Sequence, residues 1–96
     1  MTNTQLISEN RQEILALAQQ YGAKNVRVFG SVARGDDDEQ SDIDFLVEME
    51  PTRSLFDLGG FMMSLQELLG RPVDVVTEDG LKMRIRERVL QETIAL

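Results

Sequence analysis

The sequence predicts an α+β fold, mixed α/β in layout: a small mixed β-sheet with helices packed on it. Three observations predict it. Stretches with apolar residues every three or four positions alternate with short β-branched runs. Glycine or proline punctuates most of the junctions between them. No repeat, linker or low-complexity tract divides the chain, so residues 1–96 read as one domain.

The elements follow in order. Ile7, Ile14, Leu17, Ala18 and Tyr21 recur at helical spacing and Gly22 is a natural stop, which predicts a helix over 3–21. "NVRVF" (25–29) alternates and is bounded by Gly22 and Gly30, so it predicts a strand. "GSVARG" makes a tight turn with one helical turn from Ser31 to Arg34. "DIDFLVEM" (42–49) is a second strand that Pro51 closes. After Ser54, the residues Leu55, Leu58, Met62, Leu65 and Leu69 predict a helix ending at Gly70, and Ser54 with Asp57 forms a capping box with aspartate as its acid. Gly59-Gly60 inside it costs about 1–2 kcal/mol relative to two alanines, and close packing on a neighbour is the expected reason for the pair. "PVDVV" (72–76) is a third strand, and "LKMRIRERVLQETIAL" a last helix on Leu81, Ile85, Val89 and a trailing Ile94.

Composition removes whole classes of chemistry. The chain has no cysteine and no histidine, which excludes disulfides, thiolate or imidazole metal sites, Ser-His-Asp triads and imidazole bases. Catalysis must use carboxylates, hydroxyls, Lys/Arg and bound metal ions. A net charge of −7 argues against direct nucleic-acid binding, and an all-oxygen donor set favours hard cations such as Mg²⁺. The N-terminus "MTNTQLISENRQEIL" is not a signal peptide and no apolar stretch approaches a membrane span, so a cytoplasmic protein without membrane contact is expected. At 96 residues, a large surface-to-volume ratio also points to a partner subunit covering part of the chain.

The stretch "GSVARGDDDEQSDIDFLV" (30–47) concentrates the chemistry. Asp42 and Asp44 stand at i and i+2 of a strand, on one face, with Cα atoms about 6–7 Å apart. Carboxylates so spaced can converge on two metal ions about 3.5–4 Å apart. Asp74, lone among apolar residues in "VDVV", reads as a third buried aspartate that joins the same patch if its strand neighbours the second. Glycine lets the backbone approach a phosphate, and Ser31 at the start of a helical turn offers a hydroxyl and N–H groups to an anion. Arg34 reaches either a phosphate or the acidic loop. Any one of these features is more often structural: a lone Asp-x-Asp usually caps a turn, and Asp36, Asp37, Asp38 and Glu39 read as a solvated loop. The tract is not an EF-hand, for lack of its glycine and final glutamate, nor is "GSVARG" a P-loop. The conjunction is what carries weight.

Gly30-Ser31, ten intervening residues, then Asp42-Ile43-Asp44 resembles the Gly-Ser-x10-Asp-x-Asp signature of the DNA polymerase β-like nucleotidyltransferase superfamily. With "SLFDL" and "RPVDVVTEDGLKMRIRERVL", the chain from about Val26 to Ile94 is similar to the minimal nucleotidyltransferases of bacteria and archaea. The resemblance implies a polymerase β palm-like fold and transfer of a nucleoside monophosphate from an NTP to a hydroxyl, with two Mg²⁺ ions and release of pyrophosphate. It implies that Asp42 and Asp44 ligate the metals. Asp74 would hold the catalytic metal and help activate the acceptor, and Gly30 and Ser31 would hold the triphosphate. Arg34 matches the "ARG" turn.

The minimal members resemble antitoxins that neutralise a HEPN ribonuclease-type toxin by attaching AMP to a tyrosine. The expectation is therefore an ATP-using, magnesium-dependent protein adenylyltransferase in a hetero-oligomer with a HEPN toxin. Brevity fits, since the acceptor then arrives on another protein. The basic stretch Lys82, Arg84, Arg86 and Arg88 is either a solvated helix face or a partner or nucleotide contact. Two alternatives stand beside this reading: a non-catalytic antitoxin that masks its partner, and transfer to a small molecule such as an antibiotic.

Overall fold

The computed structural model describes residues 2–35, 42–80, 87 and 89–96. The Thr2 hydroxyl accepts from the Gln5 N–H at 3.1 Å while Gln5 Oε1 accepts from the Thr2 N–H at 3.0 Å, a capping box that opens α1 (Asn3–Glu9). The helix expected over 3–21 is broken at Asn10, whose backbone sits at φ −109° and ψ 16°. The Asn10 side-chain amide donates to the Leu6 carbonyl at 2.9 Å, the kind of local bond with which asparagine competes against helix continuation. α2 (Arg11–Tyr21) then runs to Gly22, which ends it in the left-handed region at φ 77°; a side chain at that position would also run into Arg53.

The remaining elements are β1 (Ala23–Phe29), α3 (Ser31–Arg34), β2 (Ile43–Met49), α4 (Leu55–Leu69), β3 (Val73–Thr77), a 3-10 turn (Glu78–Gly80) and β4 (Ile94–Ala95). The Ser54 capping box forms as expected, with the Ser54 N–H donating to Asp57 Oδ2 at 3.0 Å. Of the expected last helix, Glu87 and residues 89–91 are helical. Ile94 is not: it pairs with Val28 as a fourth, antiparallel strand. Lys82, Arg84, Arg86 and Arg88, the apolar Leu81 and Ile85, and the acidic run Asp36, Asp37, Asp38 and Glu39 lie outside the described residues.

The sheet has the order β3-β2-β1-β4, with β2 antiparallel to β1 and parallel to β3. One face packs on α2 and α4. Ile14, Ile43, Phe45, Val47, Phe61 and Leu65 are completely buried there, each contributing roughly 1.5–3 kcal/mol of transfer free energy. Alternation sends Asp44, Leu46 and Glu48 of β2 to the opposite face, beside Arg27 of β1 and Asp74 of β3. The core side therefore fixes the strands, and the far side is free to carry charge.

Candidate active site

Asp44 and Asp74 are each the second residue of a strand, and the parallel register sets them directly opposite one another. Neighbouring strands run about 4.8 Å apart, so two carboxylates stand side by side on the open face. Asp42 immediately precedes β2 and is exposed. Asp44 is half-buried; Asp74, expected to be buried, is exposed, because among the described residues β3 is an edge strand and nothing closes over it.

On the other flank, Phe29 of β1 pairs with Asp44, and the chain then turns at Gly30. That glycine sits at φ 73° and ψ −140°, a conformation open to glycine and closed to L side chains, and a Cβ there would lie 2.8 Å from Asp44 Oδ2. The turn is thus pressed against the central carboxylate. Ser31, part-exposed, opens α3 beside it, and the buried Val32 anchors that single helical turn to the sheet. Arg34 pairs with Glu92 at 3.5 Å on the protein surface.

The electrostatics agree with this grouping. Burial pushes the Asp44 carboxyl above the usual aspartate range, the charges of Asp74 and Asp42 push it further, and Arg34 pulls it down. Asp42, Asp74 and Arg34 are therefore within electrostatic reach of Asp44. Among the described residues, no three acidic side chains as placed are gathered at metal-ligand distance. The donor chemistry nonetheless fits a divalent cation. Clustered hard-oxygen donors repel one another without a counter-charge, and the charges of Asp74 and Asp42 add that repulsion to the larger effect of burial in raising the Asp44 pKa.

Sequence reasoning missed a second charged feature on this face. Arg27, in a polar slot of "NVRVF", is 8% exposed. Its Nη1 donates to Glu78 Oε1 at 2.7 Å and its Nε to the Asn25 carbonyl at 3.0 Å. It is the register partner of Leu46, so its ion pair runs from β1 across β2 to the turn after β3. At that far end of β2 and β3 lies an open cleft of about 620 Å³, lined by Val47, Met49, Leu55 and Leu58 among others and including none of the three aspartates.

Comparisons with known proteins converge on one family. Residues 11–96 match the model of the nucleotidyltransferase domain. MJ0435 of Methanocaldococcus jannaschii, which carries a protein adenylyltransferase designation, is 38% identical over 88 residues, 92% of this chain and 95% of that relative. The protein adenylyltransferase MntA of Thermococcus cleftensis is 38% identical over 78 residues, 81% of this chain and 79% of MntA. Among solved structures, a protein designated a minimal nucleotidyltransferase superposes with a TM-score of 0.87 at 46% identity, covering 97% of this chain and 95% of that one. A complex of the tri-AMPylated Shewanella oneidensis HEPN toxin with MNT antitoxin shares the fold at a TM-score of 0.69 and 19% identity, over 92% of this chain and 69% of that one. The carboxylate pair, the Gly-Ser turn and these likenesses lead to one conclusion: the chain belongs to the nucleotidyltransferase domain family.

Proposed function

We propose that this nucleotidyltransferase is a magnesium-dependent protein adenylyltransferase, a single domain acting in the cytoplasm without nucleic acid or membrane. It moves AMP from ATP to a tyrosine hydroxyl of a HEPN toxin with which it forms a hetero-oligomer, and so acts as the antitoxin. The observation that carries the reading is the in-register pair Asp44 and Asp74 beside a glycine turn that a Cβ would block. The adenylyltransferase designations of relatives at 38% identity support the reaction, and the HEPN toxin complexed with MNT antitoxin supports the acceptor class.

In this mechanism Asp42, Asp44 and Asp74 would hold two Mg²⁺ ions. When bound, these lower the repulsion between an attacking oxygen and the α-phosphate. Gly30 admits the triphosphate close to the backbone, the Ser31 hydroxyl and N–H donate to its oxygens, and Arg34 turns from Glu92 toward a phosphate. Asp74, exposed on an edge strand, is open to an incoming tyrosine, and it takes the hydroxyl proton. The tyrosine oxygen bonds to the α-phosphorus, the bond from that phosphorus to the bridging oxygen breaks, and pyrophosphate leaves. Holding the two reactants in line accounts for much of the acceleration.

Intact-mass measurement of the HEPN partner, incubated with this chain, Mg²⁺ and ATP, tests the proposal. Mass gains in AMP units are expected with the wild type, and a loss of at least 100-fold in rate with Asp42→Asn, Asp44→Asn or Asp74→Asn. Tight binding with no gain in mass would overturn it in favour of masking, and transfer by a folded Asp42→Asn/Asp44→Asn double variant would overturn the assigned roles.

A further inference from the structure

Helix α4 begins with two large apolar side chains in solvent: Leu55 is 83% exposed and Phe56 91%. The fold does not use them. Ser54 and Asp57 already cap the helix, and the buried contacts of α4 come from Phe61, Leu65 and Leu69. Leu55 continues into the open cleft of about 620 Å³, whose apolar floor includes Val47, Met49 and Leu58 and whose rim carries the exposed Glu48 and Asp79. Among the described residues, neither of those two acids pairs with a cation. Arg53, the cation among the described residues that line the cleft, lies within 3.6 Å of both Glu50 and Asp57 and is neutralised locally. Among the described residues, the result is an apolar seat with a negative border.

That border selects the occupant. A second copy of this chain would bring a net charge of −7 and the same acidic rim to the contact, which opposes self-association. The complementary partner offers an apolar or aromatic side chain flanked by lysine or arginine. A protein that handles RNA carries such cationic surface by necessity. The cleft is also within reach of the active site. Glu48 is four residues along β2 from Asp44, about 13 Å, while a standard interface of about 800 Å² per partner has a radius of roughly 16 Å. One bound protein can therefore fill the cleft and present an acceptor hydroxyl at Asp74.

We infer that Leu55, Phe56 and the acid-rimmed cleft form the docking surface for the basic acceptor protein, an inference that rests on the transfer reading above for the partner's identity. Docking by exposed aromatic and aliphatic anchors, with charges around the edge, is the usual anatomy of a protein interface.

The test measures partner binding and AMP transfer separately. In Leu55→Ser/Phe56→Ser, Kd for the HEPN partner and KM for it as acceptor rise at least 30-fold, while MgATP affinity and kcat at saturating partner stay within about twofold of wild type. Glu48→Lys/Asp79→Lys, which leaves the apolar residues in place, weakens binding in the same way, and the conservative Leu55→Met/Phe56→Leu retains it. Unchanged Kd and KM in both the serine and the lysine variants overturn the inference. So does a wild-type dimer that the serine variant dissociates, which would assign the seat to a second copy. A wild type that binds through these residues without transferring AMP refutes the reaction and leaves the docking surface standing. Active transfer insensitive to all three variants does the reverse, and a wild type that does not bind the HEPN partner refutes both.

Discussion

Burial holds a proton on the Asp44 carboxyl more tightly than a free aspartate would, and Asp74 and Asp42 add to the effect while Arg34 opposes it. The folded chain thus binds that proton more strongly than the unfolded chain. Stability is fully present below the ordinary aspartate pKa, falls as pH rises through the raised folded value, and stays reduced at neutrality. Removing the charge should therefore help the metal-free protein. Asp44→Asn in EDTA at pH 7 is expected to melt at a higher temperature than wild type, with the gap closing below the ordinary aspartate range; scanning fluorimetry across pH reads this directly. A lower melting temperature for the variant at pH 7 would mean that Asp44 is held by hydrogen bonds and not stressed by its neighbours. That Asp44 and Asp74 share a face was legible because strand alternation fixes which side chains stand together. Their burial was not: Asp74 is exposed through its place on an edge strand, and Arg27 is covered by an ion pair with a residue 51 positions later.

Two adjacent glycines in α4 show how differently one element can treat equal residues. A Cβ on Gly60 would lie 2.7 Å from Cε1 of Tyr21, whose hydroxyl meets Ser64 Oγ at 3.2 Å, so α2 and α4 approach closely there. A Cβ on Gly59 meets nothing within 4 Å. Close packing, the reason expected for both, explains only Gly60. Gly59→Ala should stabilise the protein by about 0.5–1 kcal/mol through helix propensity alone, whereas Gly60→Ala should destabilise it by about 1–3 kcal/mol through overpacking. Urea denaturation of the two variants checks both signs, and equal effects would refute the distinction. Helix interiors, strands and caps were read from period and punctuation because those signals are local. The break at Asn10 turns on one side-chain hydrogen bond inside an unbroken apolar pattern. β4 is a two-residue strand that exists through its pairing with β1, too short to show an alternation of its own.

At the scale of the whole molecule, the site depends on β2 and β3 being parallel neighbours, which a strand-helix-strand order through α4 makes the expected connection. The aspartates of two segments thirty residues apart then meet by register. What order and period do not convey is which surface a partner covers, since exposed Leu55 and Phe56 read simply as helix-forming apolar residues until the core is seen to exclude them. The same surface makes a prediction about kinetics. A chain of net charge −7 with an acidic rim around its seat attracts a basic protein over long range, and such steering acts on the rate of encounter. The Debye length shrinks from about 10 Å at 0.1 M salt to about 3 Å at 1 M. Over that range the association rate constant with the proposed HEPN partner should fall roughly 10- to 100-fold, while the dissociation rate constant changes less than about threefold. The apolar anchors act after encounter, so Leu55→Ser/Phe56→Ser should raise the dissociation rate and leave the salt slope of association intact, whereas Glu48→Lys/Asp79→Lys should flatten that slope. Surface plasmon resonance at several salt concentrations separates the two. A salt dependence carried by dissociation alone would show that charge contributes to this interface as buried pairs, not as a long-range field.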